Sequence, residues 1–189
     1  MIAPALRFRL DEQKCIEGIQ FLALHTPGIT QFYIGKIFFF ADRKHLADWG
    51  RPISGDRYVA MEHGPVPSHI YDLVKSDSGE PDDVQDELSR RVVTIREGNK
   101  IRVFPKDNGP EIRSLSDSDR EYLLESLKKC KRMSFRQIKD ESHKDVAYQE
   151  AWSAGGLNNE MDIRLWFKPE QVEYLLNNSG SLRRPITRL

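Results

Sequence analysis

Apolar residues recur along this chain at helical spacing in some stretches and at strand spacing in others, and the alternation divides it into elements. Cys15, Ile16, Ile19, Leu22 and Ala23 share one face of a first helix, which Asp11 can cap and Thr26-Pro27-Gly28 stops. Thr30 opens a second helix that runs to about Trp49 and ends at Gly50. Ile34, Ile37, Phe38 and Ala41 repeat along it, and Tyr33, Phe39 and Phe40 widen the apolar surface, so it belongs at the centre of the core. Arg51-Pro52-Ile53-Ser54-Gly55 reads as a turn-rich crossing. Residues 58–61 fit a short strand or an extended link. Pro65 and Pro67 hold the residues before them extended, and Pro67 or Ser68 can start a helix bearing Ile70, Tyr71 and Val74. Residues 76–86 are acidic and read as a loop.

The second half has clearer punctuation. Residues 91–96 and 100–104 are rich in β-branched side chains and flank Gly98-Asn99, which predicts a hairpin with a tight turn. Ser116 with Asp119, and Ser134 with Gln137, have the spacing of capping boxes. The first precedes a helix with Leu123, Leu127 and Cys130 facing inward, and the second a short helix to about Glu141. Asp145 can cap a helix through Trp152, ended by Gly155-Gly156, and Pro169 can start a last one with Val172, Leu175 and Leu176. The fold class that follows is mainly α (α+β): a helical domain around a central apolar helix, with a small β-hairpin or short antiparallel sheet. A single domain over residues 11–178 is expected, followed by a flexible Arg-bearing tail at 179–189.

Composition narrows the function. At 189 residues, with 39% hydrophobic and 31% charged side chains, the chain suits one globular domain with a real core. Lys plus Arg equals Asp plus Glu at 29 each, which removes the overall basic charge typical of nucleic-acid binders. Cys15 and Cys130 fall on apolar helix faces and read as free thiols. No apolar run has the length of a signal peptide or membrane span, so a cytoplasmic protein is expected.

The stretch "DRYVAMEHGPVPSHIYDLVK", residues 56–75, crowds Glu62, His63 and His69 around one Gly-Pro step. A metal there, with His45 from the element before, would need the paired short spacings of zinc ligands, which are absent. General acid–base chemistry by Glu62, His63 and Asp42 would need the three to converge, and no nucleophile or phosphate-binding glycine motif accompanies them. Neither a cofactor nor a metal is expected, and a hydrolase is the weakest reading. A winged-helix-like DNA-binding regulator is the stronger alternative, since helices precede a hairpin and residues 134–152 could form two helices joined by a turn. The second of those helices offers Gln149 alone to base edges, beside two acids. The cluster Lys128, Lys129, Lys131 and Arg132 could touch phosphates or simply complement a helix dipole.

"KIFFFADRKHLADWGRPISGDRYVAMEHGPVPSHIYDLVK", residues 36–75, resembles the signature region of the Panacea domain, the SocA-like antitoxin family of bacterial toxin–antitoxin systems. The shared pattern is an aromatic-rich helix ending at His45-Leu46 and Gly50, an extended segment entering Gly64-Pro65-Val66, and a short helix containing Tyr71. "KDVAYQEAW", residues 144–152, is similar to the family's later helix-capping stretch. The resemblance implies a non-catalytic antitoxin of bacterial or phage origin that binds and neutralises a cognate toxin protein, with some members delivering their toxin to a cytosolic protease. Many members carry an added N-terminal DNA-binding module, whereas about ten residues precede the first helix here, so nucleic acid and membrane are not expected partners. Gly64-Pro65 then reads as a joint between extended segment and helix. Partner contacts are expected among Arg43, Trp49, Arg57, Tyr58, His63, His69 and Tyr71, which flank the signature helix and the joint.

Overall fold

The computed structural model describes residues 6–76 and 83–178. Asp11 caps α1 (Glu12–His25) by accepting from the Lys14 N–H, and Thr30 caps α2 (Gln31–Trp49) through the Tyr33 N–H. Gly50 closes α2 in the left-handed conformation at φ 69°. β1 (Ile29–Thr30) lies between the two helices, and β2 (Tyr58–Met61), β3 (Gly64–Pro67) and α3 (Ser68–Lys75) follow the crossing. After α4 (Asp83–Arg91) come β4 (Val92–Glu97), β5 (Lys100–Pro105), α5 (Asp117–Lys131), α6 (Phe135–Ser142), α7 (Val146–Ser153), β6 (Asn159–Glu160), a 3-10 turn at Ile163–Trp166 and α8 (Pro169–Asn178). The fold is mainly α, as the residue pattern predicts, and the described residues form two small antiparallel sheets where one was expected.

α2 is the central element. Ile34, Ile37, Phe38 and Ala41 are buried against α1, α3 and α5, whose Ile19, Leu22, Ile70, Val74, Leu123 and Leu127 complete the main core. Phe39, on another side of α2, joins a second cluster with Tyr58, Ala60, Ala147 and Tyr148. Leu6 and Phe8 form a third with Leu46 and Ile163, so residues before Asp11 also contribute apolar packing. The first sheet has the order β1-β5-β4 and contains the predicted hairpin with its turn at Gly98-Asn99. Both capping boxes form, Ser116 with Asp119 and Ser134 with Gln137.

Two expectations are corrected. Residues 83–86 are not loop but the first turn of α4, whose Asp83 and Asp86 at the start and Arg90 and Arg91 at the end match the helix dipole. Residues 77–82 of the expected loop lie outside the described residues. The Gly64-Pro65 joint is also more than a link: residues 64–67 form β3, which turns back on β2 through Glu62-His63, with Met61 opposite Gly64 and Tyr58 opposite Pro67. β3 is the outer strand of the order β3-β2-β6, the place where prolines are tolerated. In α8, Val172 is half-buried, while the side chains of Leu175 and Leu176 and the expected tail at 179–189 lie outside the described residues.

Candidate partner-binding surface

The signature region is held by polar groups buried beside α2. Asp42 is fully buried and accepts from the backbone N–H of Ile53 (2.7 Å) and Ser54 (3.0 Å), from the Ser54 hydroxyl, and from the Tyr58 hydroxyl (2.7 Å). Burial pushes its carboxyl up, and these four donors pull against that shift. The crossing at 51–57 is thereby fixed to the central helix. Asp56 in turn accepts from the N–H of His69 (3.1 Å) and Ile70 (3.0 Å), satisfying two otherwise unpaired donors at the start of α3. Its burial raises its pKa to about 6.

Six residues before Asp42 on the same helix sits Lys36, only 2% exposed, with Nζ donating to the Pro65 carbonyl at 2.8 Å and lying 5.5 Å from the Phe32 ring centre. Burial lowers its pKa to about 7. Gly64 fits against this amine: a Cβ there would stand 2.5 Å from Ser142 Oγ, 2.7 Å from Lys36 Nζ and 3.2 Å from the His143 ring. Its φ of 98° is also one that side-chain-bearing residues rarely adopt. The hairpin is thus clamped between α2 and α6.

The residues expected to contact a partner fall into separate places. Arg57, Tyr58 and His69 line one cleft of about 260 Å³ together with Asp56 and the ion pair Arg7–Glu160 (2.6 Å). Arg57 is exposed, but Tyr58 is 2% exposed and turned to Asp42, so its role is internal. Arg43 lines a groove with Phe40, Lys44 and Lys129, its Nε 3.3 Å from Asp145 Oδ2. Trp49, 62% exposed, stacks on His45 at 6.1 Å. His63 is exposed at the hairpin turn, edge-on to Phe135 at 5.3 Å. Tyr71 is half-buried, its carbonyl accepting from Gln31 Nε2.

The acid–base trio does not assemble: the Asp42 oxygens are taken by Ile53, Ser54 and Tyr58, whereas Glu62 and His63 are exposed at the turn. His45 is buried with Nδ1 2.7 Å from the Arg51 carbonyl and Nε2 3.1 Å from Ser118 Oγ. Nε2 also lies 3.3 Å from Asp119 Oδ1, so both ring nitrogens are taken by groups of the protein itself. Among the described residues no three His, Cys, Asp or Glu side chains converge to hold a metal ion, and no helix is long and apolar enough to cross a membrane. Gln149 donates to the His143 carbonyl at 3.0 Å, and α4, the helix preceding the β4–β5 hairpin, carries Asp83, Asp86 and Glu87.

Residue patterns alone miss Lys36 and Phe135, and give Asp119 only its capping role. Asp119 is fully buried, 2.7 Å from Lys14 Nζ and 3.1 Å from Arg51 Nη1, while also serving its capping box. Burial would raise its pKa, but the Lys14 ammonium and the Ser116 N–H outweigh that and hold it below the usual range. The signal for Phe135 is a large ring directly after the Ser134 cap, one turn before the apolar Ile138 on a helix otherwise made of polar residues.

A family model described as "Antitoxin SocA-like, Panacea domain" matches residues 34–152. The match spans most of the chain, from the first turn of α2 to the last turn of α7, and the chain belongs to this antitoxin-like family. No curated protein and no solved structure matches it.

Proposed function

We propose that this member of the SocA-like, Panacea-domain family neutralises a cognate toxin protein by direct protein–protein contact, as a binding protein and not as a catalyst. The observation that carries the reading is the family match over residues 34–152. Exposed Arg43, Trp49, Arg57 and His63, at separate places on the surface, are consistent with it, because exposed aromatic and Arg side chains dominate interface energies. The proposed setting is the cytoplasm, and release of the bound toxin to a cytosolic protease is a second step that the same contact could serve. The experiment is co-expression with the small open reading frame beside the gene, scored by growth and by copurification. Rescue with a stable complex supports the reading, and a harmless neighbour that does not copurify refutes it. Alanine at a true contact such as His63 should weaken the complex by about 2 kcal/mol while leaving the fold intact.

A further inference from the structure

We propose that the end of the molecule formed by the last turn of α5, the start of α6 and the tip of the β2–β3 hairpin is the docking face, and that it takes an acidic protein segment bearing an apolar anchor. Residues 128–139 contain Lys128, Lys129, Lys131, Arg132, Arg136 and Lys139 and no acid. Asp140 and Glu141 neutralise part of this charge, Arg136 lying 3.8 Å from Asp140 and Lys129 3.3 Å from Glu141, and Glu62 adds one exposed acid at the hairpin tip. Lys128, Arg132 and Lys139 have no acidic partner among the described residues. In a chain of net charge zero, this concentrates positive potential at one end.

Local helix stability does not account for all of it. Lys128, Lys129 and Lys131 complement the negative end of the α5 dipole, but Arg136 stands in the first turn of α6, where a cation opposes the dipole. Next to it Phe135 is 46% exposed, its ring 4.5 Å from Phe32 and 5.3 Å from His63. Phe32 continues into Tyr33 at 5.7 Å. Phe135 and Lys139, four apart on α6, share a face. An aromatic centre ringed by cations is the arrangement in which an apolar anchor supplies affinity and the charges supply steering and choice of partner. A nucleic acid would match the charge, but the neighbouring acids Asp140, Glu141 and Glu62 favour a protein.

This inference rests on the antitoxin reading for its partner, and the test separates the two. Arg132→Glu/Arg136→Glu/Lys139→Glu, Phe135→Ala and a remote control, Lys100→Glu/Lys106→Glu, are first shown to be folded by circular dichroism. Each is then scored for rescue against the neighbouring toxin, and for binding of a fluorescent synthetic peptide rich in Glu and Asp with interspersed Leu and Phe. The expected result is that wild type and control bind the peptide, that the triple variant and Phe135→Ala bind about tenfold or more weakly, and that rescue is lost in parallel. Failure of wild type to rescue counts against the antitoxin reading, while the peptide titration still decides the surface. Equal peptide binding by wild type and the face variants, preference for a single-stranded RNA over the peptide, or self-association that the triple variant abolishes without peptide binding would each overturn the docking face.

Discussion

Replacing Lys36 by methionine should stabilise this protein, and by an amount that depends on pH. The amine is buried, its one hydrogen bond goes to the Pro65 carbonyl, and its pKa falls from 10.5 to about 7. The folded state therefore holds this proton less tightly than the unfolded chain, which binds more protons between about pH 7 and pH 10.5, so stability rises with pH through that window. At about pH 7 the burial of the partly charged amine costs about 4 kcal/mol relative to high pH, from a shift of some 3.5 units at 1.36 kcal/mol each less the half already deprotonated. Methionine keeps the aliphatic volume and removes that cost, but it leaves the Pro65 carbonyl unpaired, a loss of about 1–2 kcal/mol. The net gain expected for Lys36→Met is about 2–3 kcal/mol near pH 7, and the gap to wild type should narrow by about 1.5 kcal/mol by pH 8.5. Urea unfolding of both proteins at a series of pH values measures it. Above pH 8.5 the buried Cys15 and Cys130 thiols, both raised by burial, begin to oppose the trend, so the comparison stops there. A gap that stays constant from pH 7 to 8.5 would show an ordinary, solvated amine, and would refute the clamp built on it.

The other perturbations probe neighbouring parts of the same construction. Gly64→Ala combines a strained φ with a methyl pressed on Ser142, Lys36 and His143, and should destabilise by about 2–4 kcal/mol; thermal unfolding close to wild type would mean the hairpin relaxes away from α6. Tyr58→Phe removes one donor from the buried Asp42 carboxyl and should cost about 1–3 kcal/mol in urea unfolding, and a neutral effect would place the hydroxyl outside the network. Asp56 has its folded pKa raised to about 6 from 3.8, so the folded state binds the extra proton and this group's contribution falls as pH rises from about 4 to 6. Carboxyl-carbon NMR titration should find its midpoint near pH 6, and a midpoint below 4 would contradict that sign.

Elements with their own punctuation could be read directly from the chain: caps at Asp11, Thr30, Ser116, Ser134 and Asp145, and the Gly98-Asn99 turn, all form as local chemistry requires. α4 escaped because its buried positions are Leu88 and Arg91 alone, which makes no apolar stripe, although its acid-first, base-last order was there to be used. β1 and β6 are two residues each, too short for any period to show. The polar interior was invisible for a different reason. Periodicity identifies the faces of α2 but not what stands opposite Lys36 and Asp42, and their partners, Pro65 and Tyr58, come from the far side of a crossing. For the candidate surface, the same limit applied in reverse: the list around the signature helix included the buried Tyr58 and omitted the exposed Phe135, which reaches His63 only through the fold.

The hairpin's construction also restricts how a partner can use it. β3 is an edge strand, and exposed edges ordinarily invite another strand to add by backbone hydrogen bonds. Pro65 and Pro67 have no N–H, so the donors in the ladder with β2 must come from Gly64 and Val66, the alternate positions, and the prolines occupy the outward ones. The outward Pro65 carbonyl is already held by Lys36 Nζ. Strand addition along β3 therefore has no donors and one acceptor fewer, and recognition at this rim falls to side chains. At the tip these are His63, with Phe135 of α6 packed beside it, and the hairpin is seated by Gly64 against α2 and α6 and consequently loses little further freedom on binding. Lys36 thus has two opposed effects: its burial lowers the stability of the domain near neutral pH, and its bond to Pro65 helps set the rigid tip on which the proposed docking face depends.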